Sequence, residues 1–339
     1  MKHYIPLERI EERYTPMMND CLNPFFDFIY YPEMDTTTID KGEFLDVEKT
    51  IEFKAKQLAL VAQSFQQGNV KDGDVFFVAD IFYPGIESIR YMSELQGLDV
   101  SIVGYNHAGR SDKHDFVQNL GTWSDTGELT YLSICDIILC GSEYHRNLIC
   151  SYFNINPSKV MVTGCVWDKD YAFNLYPVLN EKKDQVVFPH RLSDEKGLDE
   201  FLDIVNQTPD VKYVITSSNK NKRDIDLPPN VEYRYGLSKK EYYQTLSESK
   251  YYLSCAYQET FGYTLREALL YGCIPVVPDR ANYPETVPSS NRYDTVRDAV
   301  KKLRNATTID QGYVDMFHKN AEKINEILCK IENTGTAKK

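Results

Sequence analysis

The stretch QETFGYTLREALLYGCIPVVPD (258–279) decides how the rest of the chain is read. It passes from a polar turn through a helical pattern into a short apolar run, the order of a loop, a helix and a buried strand. Glu259 and Glu267 stand in it with seven residues between them. If Gly262 opens the helix, Glu259 lies in the loop ahead of the N-terminus and Glu267 about one and a half turns inside, so both face one crevice. The N–H groups near Gly262, Tyr263 and Thr264 then point at an anion, with the helix dipole adding attraction for a phosphate. The glycine lets that phosphate approach closely. Glutamates near a helix start also serve as charge partners or solvated residues, so the pair alone does not fix the chemistry.

Outward from this stretch, short apolar runs alternate with longer helical patterns, which argues for parallel sheets built from βαβ units. HYIPL (3–7), DVFFVAD (74–80), DVSIVGY (99–105), DIILCGS (136–142) and KVMVTG (159–164) read as buried strands of one doubly wound α/β domain. Between them Ile51, Leu58, Val61 and Phe65 keep a helical face, and IESIRYMSEL (86–95) and YHRNLICSYF (144–153) read as further helices. CVWDKDYAFNLYPVLNEKKD (165–184) lacks a sustained period and ends in charge, as a linker does. A second domain follows, with strands QVVFP (185–189), KYVITS (212–217), VEYRYG (231–236), YYLSCA (251–256) and IPVVPD (274–279) and helices near 197–206, 239–248, 262–272 and 294–304. Residues 310–331 read as a final helix and the tail NTGTAKK as disordered. The expected division is 1–170, 171–309 and a C-terminal helix, 310–332, placed to pack back on the first domain.

A length of 339 residues fits two α/β domains, each able to bury its own core. No apolar run approaches the roughly 18 residues of a membrane span, so no membrane insertion is expected. The opening MKHYIPLERIEERYT breaks its apolar run with charge before a signal-peptide core forms, and a cytoplasmic protein is expected. The eight cysteines include no C-x-x-C pair, and Cys135, Cys140 and Cys255 sit in strand-like runs as reduced, buried thiols. The six histidines form no H-x-x-x-H or carboxylate-flanked cluster, so spacing proposes no metal, and no cofactor is expected. A net charge of −12 opposes a broad grip on nucleic acid and leaves only a local basic groove. Lys2, Arg9 and Arg13, then Arg110 and Lys113, are the cations for one in the first half, although scattered solvated charges are the plainer account.

The string around the two glutamates is less accidental than their spacing: F-G follows the first, E-A-L stands on the helix, and G-C-I-P-V-V comes after. In this form it resembles the E-x7-E signature of retaining GT-B glycosyltransferases, especially family 4. Upstream, VVFPHRLSDEKGLDEFL (186–202) resembles the start of that family's donor domain, with Pro189 and His190 in place of the residues usual before the arginine. The resemblance implies a GT-B fold, two Rossmann-like doubly wound domains facing an interdomain cleft. It implies a nucleotide-sugar substrate, most commonly a UDP-sugar, transferred with retention and without a bound metal. Arg191 and Lys196 are then the contacts of the nucleotide diphosphate, Glu259 of the sugar hydroxyls and Glu267 of the ribose, with Phe261, Gly262, Tyr263 and Thr264 completing the donor site. An arginine fork and a lysine point charge suit a departing pyrophosphate.

The first half resembles the acceptor domain less closely. His107, in GYNHAGRSD (104–112), falls where the family often turns a histidine toward the sugar, and a loop histidine is also often structural. Asp80, at the end of DVFFVAD, is placed to meet an acceptor hydroxyl or to cap a helix. The loop after the first strand carries Arg9, Glu11, Glu12 and Arg13 where many GT-B enzymes are glycine-rich. IPLERIEERYT (5–15) and FPHRL (188–192) resemble glycosyltransferases of tailed phages that modify their DNA. That implies a hydroxymethylated base, hydroxymethylcytosine in duplex DNA, as acceptor, held by Arg9, Arg13, Arg110 and Lys113. The alternatives are a lipid, polysaccharide or small-molecule acceptor, a sugar-nucleotide epimerase, or a noncatalytic binder of sugar nucleotide or DNA.

Overall fold

The computed structural model describes residues 1–39, 47–217 and 225–334. Each of the apolar runs read from the sequence becomes a parallel strand, and two short edge strands join them. The first sheet holds β1 (Lys2–Ile5), β2 (Phe28–Ile29), β3 (Val75–Val78), β4 (Ser101–Asn106), β5 (Ile137–Cys140) and β6 (Val160–Val162) in the order β2-β1-β3-β4-β5-β6. The second holds β7 (Lys183–Phe188), β8 (Lys212–Ser217), β9 (Val231–Tyr235), β10 (Ser249–Leu253), β11 (Ile274–Pro278) and β12 (Arg292–Tyr293) in the order β12-β11-β10-β7-β8-β9. Central strands such as β3, whose four residues are all buried, are apolar throughout because helices cover both faces of a parallel sheet.

Each sheet has one place where the chain changes direction of growth, between β1 and β3 in the first and between β7 and β10 in the second. There the loops leaving the carboxyl ends of neighbouring strands diverge to opposite faces and leave a crevice, the usual ligand position in open α/β sheets. Both switch points are therefore the places to look for chemistry.

The described chain groups into two compact units, one made of 1–39, 47–167 and 319–334 and the other of 168–217 and 225–318. The C-terminal stretch is not the single helix over 310–331 that its pattern suggests. It forms two helices, Gln311–Asp315 and Asn320–Thr334, because Phe317 and Lys319 take left-handed backbone angles of 66° and 56° between them. The second helix packs in the first unit on β3, β4 and the helix Thr15–Leu22. Asn320 pins its start, donating to the carbonyls of Thr163 and Cys165 and accepting from Trp167 N. Residues 335–339 of the tail NTGTAKK lie outside the described residues.

The linker stretch 165–184 contains the boundary between the two units, after Trp167, and carries structure that its pattern did not announce: Cys165, Val166 and Trp167 are buried, and Asp168 caps a helix, Lys169–Leu175. Its short length defeats a periodicity argument that needs several turns. Along the helix Val47–Gln66, Ile51 points outward, whereas Phe53, Gln57, Val61 and Phe65 form the buried face. The eight cysteines are free thiols, with Cys135, Cys140 and Cys255 buried.

Candidate active site

In the second unit the loop after β7 is pressed against the loop after β10 by one residue. Gly197 closes the turn Asp194–Lys196 at φ 71°, and a Cβ there would lie 2.1 Å from the Cys255 carbonyl oxygen, so no side chain fits. With the backbones this close, Tyr257 N and Gln258 N both donate to Glu195 O, at 2.9 and 3.3 Å. Lys196 Nζ donates to Gln258 O at 2.8 Å and stands 3.7 Å from Glu259 Oε2. Arg191 Nη2 donates to Glu195 Oε1 at 2.8 Å, and Ser193 Oγ donates to the same oxygen. Burial would raise the Glu195 carboxyl, but the Ser193 hydrogen bond and the charges of Arg191 and Lys196 outweigh it and hold its pKa below the ordinary value. Arg191, Lys196 and Glu259 are thus gathered at the switch point between β7 and β10.

His190, just ahead of Arg191, is buried. Its burial, reinforced by the charges of Lys196 and Arg191, drives its pKa well below the usual value and keeps the ring neutral. Its Nε2 lies 3.3 Å from Tyr252 OH, which lies 3.1 Å from Thr264 Oγ1. This chain ties the loop after β7 to the helix Tyr263–Leu270.

That helix is entered through Gly262 at φ 84°, and its ladder begins with Arg266 N donating to Gly262 O. The N–H groups of the first turn lie ahead of the ladder, as an anion site requires. Tyr263 and Thr264 are half-buried there. Phe261 is turned inward, 2% exposed, against Phe317 and the buried guanidinium of Arg266. Glu267 is 6% exposed and already engaged: Lys239 Nζ donates to Oε1 at 2.9 Å, Tyr243 OH to Oε1 at 3.0 Å and Tyr242 OH to Oε2 at 2.8 Å. These three donors escaped sequence reasoning. They lie on the helix Lys239–Glu248, more than twenty positions upstream, and only its capping box, Ser238 with Glu241, was a local signal.

The residues singled out in the first half lie in the first unit. Asp80 follows β3 and accepts from Phe82 N at 3.0 Å, a turn-forming bond. His107 follows β4 and its Nε2 bonds Ala79 O at 2.9 Å; burial lowers its pKa, partly opposed by Asp80. Arg9 spends its fork on Asp20, at 2.6 and 3.2 Å, and its Nε on Glu11. Arg110 donates to Asp125 at 2.9 Å and to Val117 O. Arg13 is half-buried and Lys113 exposed. Glu8, passed over in the sequence, is 2% exposed beyond β1, and its burial raises its pKa against the pull of Lys54. Among the described residues, Asp168, Asp170 and His318 form a group of metal-ligand type. The two carboxylates lie 3.7 and 3.6 Å from opposite ring nitrogens, but Asp168 is occupied as a helix cap and His318 Nδ1 accepts from Lys169 N, so the group reads as a helix cap.

Comparison with known proteins agrees with the architecture. Residues 177–327 match the family described as "Glycosyl transferases group 1". The tRNA-queuosine alpha-mannosyltransferase of Drosophila melanogaster is 30% identical over 140 residues, a stretch that covers 38% of this chain and 37% of that protein. Among solved structures, the lipopolysaccharide outer core galactosyltransferase WaaB superposes with a TM-score of 0.67 at 13% identity, covering 97% of this chain and 99% of that one. Sucrose-phosphate synthase from Thermosynechococcus elongatus gives a TM-score of 0.65 at 10% identity, covering 98% and 96%. The chain therefore has the GT-B fold, and most of its second unit is similar to the glycosyl transferases group 1 family.

Proposed function

We propose that this protein is a retaining glycosyltransferase that moves a sugar from a nucleotide-sugar donor, a UDP-sugar, to a hydroxyl on a modified nucleobase. The observation that carries the reading is the gathering of Arg191, Lys196 and Glu259 by the glycine contact at Gly197. The acceptor oxygen attacks the anomeric carbon on the face from which the nucleoside diphosphate leaves. The carbon–oxygen bond to the diphosphate breaks, its electron pair stays on the phosphate, and the acceptor proton leaves with it. Arg191, Lys196 and the first turn of the helix Tyr263–Leu270 stabilise the charge that grows on the leaving oxygen, so the reading calls for no bound metal.

Two observations support a nucleobase acceptor. IPLERIEERYT and FPHRL resemble phage DNA-modifying glycosyltransferases and favour hydroxymethylcytosine in duplex DNA. The Drosophila relative is named for a mannosyl transfer to queuosine in tRNA and favours an RNA acceptor. The test offers a panel of nucleotide-sugars with hydroxymethylcytosine DNA, unmodified DNA, queuosine-containing tRNA and free saccharides, and reads transfer by mass spectrometry. The expected result is a hexose or pentose mass added to hydroxymethylated DNA and none to unmodified DNA. Transfer to the tRNA alone moves the acceptor to RNA. Transfer to a saccharide alone overturns the nucleobase reading, and neither transfer nor donor hydrolysis overturns the enzyme.

A further inference from the structure

Glu267 holds more hydrogen bonds than a simple ribose-binding role requires. An ionised carboxylate offers about four lone-pair sites. Lys239, Tyr242 and Tyr243 together fill three of them. A ribose diol brings two further donors, one more than the carboxylate can take, so a present partner has to give way.

The tyrosines are poor candidates to leave. Tyr243 is 2% exposed, and burial together with the Glu267 charge raises both phenols well above their ordinary pKa, which keeps them as donors. Lys239 is different. Its side chain is 22% exposed at the start of its helix, and its ammonium lies 5.4 and 5.2 Å from the centres of the Tyr242 and Tyr243 rings. A flexible four-carbon stem lets it swing across those ring faces without losing their attraction.

We propose that Lys239 is a donor-contacting residue that recognises the ribose of a ribonucleoside diphosphate by letting one hydroxyl insert between its ammonium and Glu267. The inference rests on reading this unit as a nucleotide-sugar site. A hydroxyl suits the insertion because it does both jobs: its O–H donates to Glu267 Oε1 and its oxygen accepts from Lys239 Nζ. Neither charge is stranded, and Tyr242 and Tyr243 keep the carboxylate aimed. A deoxyribose lacking that hydroxyl cannot insert there, so the same pair becomes a filter against deoxynucleotides.

The test is calorimetric titration of the full chain with UDP, GDP and ADP, then with the 2′-deoxy and 3′-deoxy forms of the tightest. Wild type is expected to prefer the ribonucleotide over at least one deoxy form by about tenfold, the worth of one hydrogen bond to a charged group. Lys239→Met should weaken the ribonucleotide by about tenfold and erase the preference, while Lys239→Arg retains part of it. If Lys239→Met melts too early to titrate, Lys239→Gln is read the same way. A variant that keeps the full preference, or binds the ribonucleotide more tightly than wild type, overturns the role of Lys239. Failure of the wild-type protein to bind any of the three nucleotides overturns the nucleotide-sugar reading itself. Loss of binding in Glu267→Gln with an unchanged Lys239→Met overturns the inference alone.

Discussion

Arg191 and Lys196 differ in what surrounds them, and the difference sets what each substitution does. Arg191 is 30% exposed and its fork is shared with Glu195, whereas Lys196 is 15% exposed and held between Gln258 O and Glu259. Removing either cation takes away a contact expected to strengthen as negative charge develops on the diphosphate. Each alanine variant should therefore lower single-turnover rate at saturating donor and acceptor by about 10²–10³. Lys196→Ala should cost stability as well, because it leaves Gln258 O and Glu259 without their cation; Arg191→Ala should not, since Ser193 still serves Glu195. Near-normal rates in both would remove the phosphate role. The sequence allows Glu267→Ala to be read as a clean loss of ligand contact, yet the structure makes it a change in a buried network. It strands the Lys239 ammonium and the Tyr243 hydroxyl, and an unsatisfied buried donor costs about 1–3 kcal/mol. Glu267→Gln is the better probe.

Glycines at element boundaries show how backbone geometry builds the site. Gly262 needs its left-handed angle, but a Cβ there would meet nothing closer than 3.5 Å; Gly197 needs the angle and has a carbonyl oxygen in the way. Gly197→Ala should therefore destabilise the protein more than Gly262→Ala in urea denaturation, and should also part the two loops and lose donor binding. A second test concerns the loop after β4. Glu128, on the helix Trp123–Ile134, accepts from Arg110 N at 2.7 Å, and a Cβ at Gly109 would fall 2.5 Å from its oxygens. Burial raises this carboxyl from 4.5 to about 7, outweighing the backbone bond from Arg110. The folded state thus holds the proton more tightly than the unfolded chain, so its stabilising effect is full below about pH 4.5 and lost as pH rises through about 7. Against Glu128→Gln, wild type should lose about 3 kcal/mol more between those limits, at 1.36 kcal/mol per pKa unit. Equal slopes would exclude Glu128 as the titrating group. At this scale the sequence was legible wherever burial makes a run continuous, as in VFFV of β3. It was illegible where elements are short, as in β2, β12 and the helix Lys169–Leu175, or where backbone angles break a good pattern, as at Phe317 and Lys319. The loops after β7 and β10 were legible because their residues lie close in sequence to the strands that carry them. Lys239 was not, since its pairing with Glu267 spans 28 positions.

Charge is the property that acts on the whole molecule. With a net charge of −12, the chain repels a polyanion at long range, so a nucleic-acid acceptor has to be held by local cations. The described structure narrows which ones. Arg9 is committed to Asp20 and Glu11, and Arg110 to Asp125, so each contributes little net field. Arg13 and Lys113 make no ion pair among the described residues and are the cations left to meet phosphates. Two phosphate contacts imply a salt slope of about −2 in log–log form, or a loss of about tenfold in acceptor binding between about 50 and about 200 mM salt. Transfer to a nucleobase acceptor below saturation should fall by that factor, while donor hydrolysis, which needs no polyanion, stays level. Neutralising Arg13 and Lys113 together should flatten the slope and weaken acceptor use. Neutralising Arg9 should weaken it too, for the opposite reason: Asp20 and Glu11 are left uncompensated beside the acceptor. A slope several times steeper would mean that a different surface holds the nucleic acid. No slope at all, with transfer intact, would mean that the acceptor is not a polyanion.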